Sequence, residues 1–127
     1  RISGDGFGYE IPSADGWSLS RAQKGALTIR ELSGPGGVLI RIVHSPGVRA
    51  SPDASTIVSD DAFAVPSVAD ARKLVLKNFP SERCRARRCD DYVLNDAAFG
   101  GLAILAGDSG GPASRAAARI ARSVTAG

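Results

Sequence analysis

The chain has 127 residues, of which 43% are hydrophobic and 23% charged, and its formal net charge is +3. This length fits a single domain over residues 1–127, and the composition permits a packed core and excludes global disorder. No apolar run approaches the roughly 18 residues of a membrane span. So small a net charge also argues against nucleic-acid binding.

Four short strands are predicted in the first part of the chain, because apolar and other residues alternate there. The first covers residues 7–11 and the second starts at Trp17. The third covers residues 27–30 and the fourth covers residues 38–44. Asp15-Gly16 is a turn signal, and residues 33–37 (Ser-Gly-Pro-Gly-Gly) break the chain before the last of these strands. The pattern predicts an antiparallel meander.

Residues 45–66 contain several prolines and give no clear periodicity. Residues 55–63 fit either a short helix or no regular structure. An irregular connection of this length is uncommon in compact domains, so we expect a mobile or functional loop here.

A helix is predicted to begin at Ser67, because Ser67 and Asp70 have the spacing of a capping box. The apolar residues that follow have helical spacing, and Pro80 ends the segment. Two further strands are predicted at residues 91–94 and 102–106. A final amphipathic helix is predicted at residues 112–124.

This order of elements predicts an α+β fold with an antiparallel sheet of about six strands, covered by two or three helices. We expect at least one helix to lie on a face of the sheet.

The two cysteines, Cys84 and Cys89, allow several interpretations. A zinc site would need further ligands, and the chain offers only His44. A redox pair is more often spaced Cys-x-x-Cys. We therefore predict a local disulfide in an exported protein, with two free thiols as the alternative.

An arginine cluster surrounds this cysteine pair. It is a candidate binding surface for an acidic partner or a lipid headgroup, and the alternative is a solvated loop that nearby carboxylates neutralise in part. The cluster consists of Arg83, Arg85, Arg87 and Arg88.

The stretch Gly-Asp-Ser-Gly-Gly-Pro at residues 107–112 matches the nucleophile motif of chymotrypsin-like serine proteases. A small serine hydrolase would use Ser109 with His44 as base, and Asp53, Asp60 or Asp61 could orient the base, with Asp60 as the named candidate. Against this, the chain is short for that fold, a predicted helix follows Ser109, and no histidine follows it as a hydrolase elbow requires. We therefore interpret the stretch as a strand-to-helix turn, in which Asp108 and Ser109 are turn and cap formers.

The other candidate sites are weaker. The acidic pairs Asp60-Asp61 and Asp90-Asp91 lack the spacing of a calcium loop and are interpreted as solvated turns. His44 is a potential pH-sensitive group at a strand end. No metal and no cofactor are predicted. Three aromatic residues are assigned to the core: Phe7, Tyr9 and Trp17.

The opening of the chain, residues 7–12 (Phe-Gly-Tyr-Glu-Ile-Pro) followed by Gly16-Trp17, resembles that of PsbP-like domains. This group includes photosystem II accessory proteins and LpqN-type bacterial lipoproteins. The close is also similar, with a strand pair at residues 92–94 and 101–105 before a helix that ends in residues 120–124. The resemblance implies an α/β/α sandwich, export from the cytoplasm and no catalysis.

These observations predict a non-enzymatic, exported accessory or binding domain with an unidentified protein or small-molecule partner. The chain contains no Met, so we expect that a signal segment was removed or the chain was trimmed. A membrane anchor would then lie upstream of Arg1. The excess of Arg over Lys, together with frequent Ala, suggests a GC-rich bacterium, with the domain secreted or held as a cell-envelope lipoprotein.

Overall fold

The computed structural model describes residues 1–4, 6–77 and 87–127. Within these ranges there are ten strands, one α-helix and two short 3₁₀ turns, at Pro35–Gly37 and Ala54–Thr56. The strands are β1 (Ile2–Gly4), β2 (Phe7–Tyr9), β3 (Ser18–Lys24), β4 (Leu27–Gly34), β5 (Val38–Ser45), β6 (Ile57–Ala62), β7 (Asp70–Lys77), β8 (Arg88–Asp96), β9 (Gly100–Ala106) and β10 (Thr125–Ala126). The helix α1 covers Pro112–Arg122.

Seven strands form one antiparallel sheet in the order β3-β4-β5-β9-β8-β7-β6. A second sheet has the order β1-β2-β10, in which both β1 and β10 pair with β2 in antiparallel fashion. The predicted meander is therefore confirmed for β3, β4 and β5, whereas the first predicted strand belongs to the small sheet.

The predicted fold class is wrong. The chain is mostly β-structure, with a seven-stranded and a three-stranded sheet, and the described residues contain one helix where two or three were expected to cover a six-stranded sheet. The small sheet and α1, which is the expected C-terminal helix, share one core cluster with the large sheet. The physical reason lies in two segments that form strands.

The first of these segments was predicted as a helix beginning at Ser67, but it forms β7. Eight residue pairs join β7 to β8, and Leu74 and Leu76 are buried on one face of the sheet. Ser67 does not cap a helix: its hydroxyl donates to the Val124 carbonyl (3.1 Å) and accepts from the Ala126 amide (3.1 Å). A short apolar run is compatible with either a strand or a helix, and here the pairing with β8 makes the segment a strand.

The second segment lies in residues 45–66, where an irregular loop or short helix was expected. It contains the 3₁₀ turn Ala54–Thr56 and the strand β6, which is the last strand of the large sheet and pairs only with β7. Its register shifts between Ile57 and Ser59. Most of β6 is exposed, so the sequence there lacks the apolar alternation that identifies half-buried strands.

The main core lies between the large sheet and the layer formed by α1 and β2. The helix contributes small side chains, such as Ala117 and Ala121, together with the fully buried Ile120. Small residues let the helix backbone approach the sheet closely. On the opposite face of the sheet a second cluster contains Leu74, Leu76, Cys89, Val93 and Leu105. None of the helices in the described ranges is long and apolar enough to cross a membrane.

Candidate functional site

The turn at residues 107–112 connects β9 to α1, as the strand-to-helix interpretation predicts. Asp108 caps the helix: its carboxylate accepts hydrogen bonds from the backbone amides of Gly111 (3.2 Å), Ala113 (3.0 Å) and Ser114 (2.9 Å). These amides belong to the first turn of a helix, which has no internal acceptors for them. A carboxylate at this position also interacts favourably with the helix dipole.

Ser109 is held by a buried carboxylate. Its hydroxyl donates to Asp90 Oδ1 (2.7 Å), while the Gly110 amide donates to Asp90 Oδ2 (2.9 Å). The Ser114 hydroxyl also donates to Asp90, and the Lys73 ammonium lies 3.7 Å away. Asp90 has no exposed surface, so its interpretation as part of a solvated turn is wrong. These contacts give Ser109 a structural role in fastening the turn to β8.

The structure does not bring Ser109, His44 and Asp60 together. The turn meets β5 at Leu39, whose carbonyl accepts from the Gly107 amide (2.9 Å), and His44 lies five residues further along that strand. Five residues of antiparallel strand span about 17 Å. Asp60 lies on the far edge strand β6 and forms an ion pair with Arg72 (2.7 Å).

Part of the arginine cluster lies outside the described residues, namely Arg83 and Arg85, and so does Cys84. Arg87 is exposed, and Arg88 begins β8 opposite Lys77. Cys89 is fully buried in the second core cluster. The Cys84–Cys89 disulfide stays a prediction.

A cleft of about 420 Å³ opens between the small sheet and the β3-β4-β5 end of the large sheet. Its apolar lining comes from both sheets and includes Phe7, Ile42, Phe99 and Leu102. All four side chains belong to the main core or its border. The cleft is thus an opening into the core layer, and its volume is within the range of small-molecule sites.

Two guanidinium groups line this cleft. Arg21 on β3 and Arg30 on β4 are direct cross-strand partners, and Arg30 is in turn opposite Ile42 of the cleft. Like charges directly opposite each other on neighbouring strands destabilise a sheet. Among the cleft-lining residues that the structure describes there is no Asp or Glu to balance them.

Tyr9 also lines the cleft, close to Arg30. Burial raises the pKa of the Tyr9 phenol to about 12, and the positive charge of Arg30 opposes this shift only in part. The phenol is therefore neutral at physiological pH and can donate a hydrogen bond. Tyr9 was expected only as a core residue, and it is indeed buried.

His44 adds an imidazole to the polar groups of the cleft. Its Nε2 lies 2.8 Å from the Phe99 carbonyl oxygen. Because a carbonyl only accepts, Nε2 carries the hydrogen, and Nδ1 is left to accept a hydrogen bond or, once protonated, to donate one. The ring packs against Phe7 with a centroid distance of 4.5 Å. His44 is therefore fixed in orientation.

The cleft is suited to binding an anion and not to holding a metal ion. Its described polar groups are guanidinium, imidazole, hydroxyl and amide, none of which supplies a carboxylate ligand. Throughout residues 1–4, 6–77 and 87–127, no three His, Cys, Asp or Glu side chains come together as a potential metal site.

Comparison with known proteins adds no family assignment. No family model matches the chain, and neither the curated proteins nor the solved structures contain a significant match.

Proposed function

We propose that this chain is a non-enzymatic binding domain and that the cleft beside Arg21, Arg30 and His44 takes a small organic anion. The observation that carries the proposal is the cross-strand pair of arginines in a cleft without a described acidic residue. An anionic group between the two guanidiniums offsets their repulsion. Arginine also forms two parallel hydrogen bonds to a carboxylate or phosphate, which adds geometric specificity.

The rest of the ligand is apolar in this proposal. Phe7, Phe99 and Leu102 form the buried apolar floor of the cleft that Arg21 and Arg30 also line. A compact ligand with one charged group and one apolar body fits both the arginines and the apolar lining of the cleft. His44, whose Nε2 is held by the Phe99 carbonyl, supplies a further hydrogen-bonding group in the cleft.

This function agrees with the accessory or binding role that the resemblance to PsbP-like domains implies. The predicted Cys84–Cys89 disulfide supports an extracytoplasmic location, because such bonds persist in oxidising compartments. No catalytic step is assigned to Ser109.

The test uses three probes of similar shape: phenyl phosphate, benzoate and the uncharged benzamide. Isothermal titration calorimetry should detect the two anions and not benzamide, and backbone NMR shifts should concentrate at residues of the cleft. Arg30→Gln should weaken anion binding by roughly tenfold or more, because hydrogen bonds to charged groups contribute about 1.5–3 kcal/mol.

Lys77→Gln is the matched control. Lys77 is exposed at the end of β7, outside the cleft lining, and its replacement removes the same charge. If Arg30→Gln and Lys77→Gln lowered the affinity for the anions equally, the effect would come from net charge and not from the cleft. Equal binding of benzamide and benzoate would refute the proposal.

A further inference from the structure

A groove of about 660 Å³ follows the whole length of α1 and shares no lining residue with the cleft. The helix contributes one stripe to it, with the spacing of a single helical face: Pro112, Arg115, Ala116, Arg119, Ile120 and Ser123. From Pro112 to Ser123 this stripe spans about 17 Å. The opposite wall is formed by residues 10–14, Trp17 and Pro35.

The wall opposite the helix is mostly apolar, and two of its side chains pack closely against glycines. The Trp17 ring lies against the backbone of Gly34, where an added Cβ would come within 2.7 Å of ring atoms. Pro35 packs in the same way against Gly16, at 3.0 Å from an added Cβ. Trp17 is only half-buried, so part of its ring is available to an incoming side chain.

The helix wall is positively charged. Arg115 and Arg119 are one helical turn apart and both are exposed. The one carboxylate of the groove, Glu10, is already paired with Arg1 at 3.0 Å. Its backbone amide also donates to Ser123 Oγ (2.8 Å), which joins the two walls at the C-terminal end of α1. The groove thus has a basic wall, an apolar wall and one closed end.

We propose that this groove binds an extended acidic segment of a partner protein, in which apolar and acidic residues alternate. The available length accommodates about five extended residues, whose side chains point alternately to opposite sides. Apolar side chains on one side meet Trp17 and Pro35, while carboxylates on the other side meet Arg115 and Arg119. Residues two apart in an extended chain are separated by about 7 Å, close to one helical turn.

The test uses the acetylated, amidated peptide Leu-Glu-Leu-Glu-Leu, with Leu-Lys-Leu-Lys-Leu and Ser-Glu-Ser-Glu-Ser as comparison probes. Trp17 is the only tryptophan of the chain and is not among the residues of the anion cleft, so its emission reports on the groove alone. The Leu-Glu peptide should shift and saturate this emission, and both comparison peptides should bind at least roughly tenfold more weakly.

The double variant Arg115→Glu/Arg119→Glu should lose binding of the Leu-Glu peptide. The matched control is Lys24→Glu/Lys77→Glu, which changes the net charge equally at exposed strand ends and should retain binding. Both pairs are on the surface, and circular dichroism verifies that each variant is folded. Equal losses in both double variants, equal affinity for the Lys peptide, or unchanged Trp17 emission would each overturn the proposal.

Discussion

Asp91 on β8 is the site of the strongest pH dependence that we expect in this protein. Only 6% of the residue is exposed, and its Oδ1 is buried without a hydrogen-bond partner among the described residues. Its cross-strand neighbours are Leu74 and Leu105, both part of the second core cluster. Burial raises the pKa of this carboxyl from 3.8 to about 7. The perturbation to test is Asp91→Asn.

A raised pKa in the folded state means that folding favours the protonated carboxyl of Asp91. Well below the unfolded pKa of 3.8 the carboxyl is protonated in both states, so it has no effect on the free energy of unfolding. As the pH rises toward about 7, the unfolded chain releases this proton more readily, and stability falls. At 1.36 kcal/mol for each pKa unit, the shift from 3.8 to about 7 corresponds to a loss of about 4 kcal/mol.

Urea unfolding measured from about pH 4 to about pH 8 checks this, with wild type and Asp91→Asn compared at each pH. Subtracting the two curves cancels the other titrating groups, including Asp53 and Asp96, whose lowered pKa values favour stability at higher pH. The stability of Asp91→Asn relative to wild type should rise by a few kcal/mol across this range. The difference in free energy of unfolding at the lowest pH gives the effect of replacing the protonated carboxyl by an amide.

Asp61→Asn is the control for this comparison, because Asp61 is exposed on β6 and its replacement makes the same change in charge. Its difference curve should be nearly flat. Parallel pH curves for wild type and Asp91→Asn would refute the reasoning, and so would a relative gain in wild-type stability with rising pH.

Three further predictions concern the turns around the main core. Asp108→Ala should lower the free energy of unfolding by about 1–2 kcal/mol in urea titrations, because it removes the cap of α1, whereas Asp15→Ala in an exposed turn should have little effect. A fluorophosphonate probe should not label Ser109, and labelling that Ser109→Ala abolishes would contradict this. Gly100→Ala should destabilise by several kcal/mol, because the added Cβ would lie 2.3 Å from the Gly47 nitrogen, whereas Gly25→Ala, also at positive φ but in open space, should cost about 1 kcal/mol.

The elements that could be predicted from the sequence are those whose environment matches a simple periodicity. β5 has one face toward the main core, where Ile40 and Ile42 are buried, and the alternation predicts it correctly. The helix α1 has a buried Ala and Ile face and an exposed Arg face, and its 3.6-residue period is equally clear. In both cases the buried residues that set the periodicity lie on a single face of the element.

The segment at β7 could not be predicted in this way because it lies between two cores. Ala71 packs at the border of the main core, while Leu74 and Leu76 belong to the cluster on the other face. Apolar residues on both faces give a run that also satisfies helical spacing, and the Ser67–Asp70 pair then completes an apparent helix start. Long-range pairing with β8 and β6 overrides this local preference.

The candidate cleft was missed because its polar residues come from separate strands. Arg21 and Arg30 are each unremarkable in their own strand, and only the β3-β4 register places them opposite each other. The hairpin between these strands was itself predictable, so two cationic residues, each four positions from the nearer residue of the Gly25-Ala26 turn, were an available signal. His44 was identified as a candidate. Its contacts with the small sheet could not be predicted, because the sequence pattern assigned β2 to the meander.

The Gly-Asp-Ser-Gly-Gly-Pro stretch shows how backbone requirements alone can produce a motif of catalytic appearance. Asp108 caps the helix, Ser109 and Gly110 bond the buried Asp90, Gly110 adopts a positive φ of 72°, and Pro112 occupies the first helical turn. These four identities thus have a local physical cause that needs no substrate. The hydroxyl of Ser109 donates to the Asp90 carboxylate, which also accepts from the Gly110 amide and the Ser114 hydroxyl. Replacing Asp90 should therefore loosen the turn and α1 together, which ties this motif to the stability of the fold.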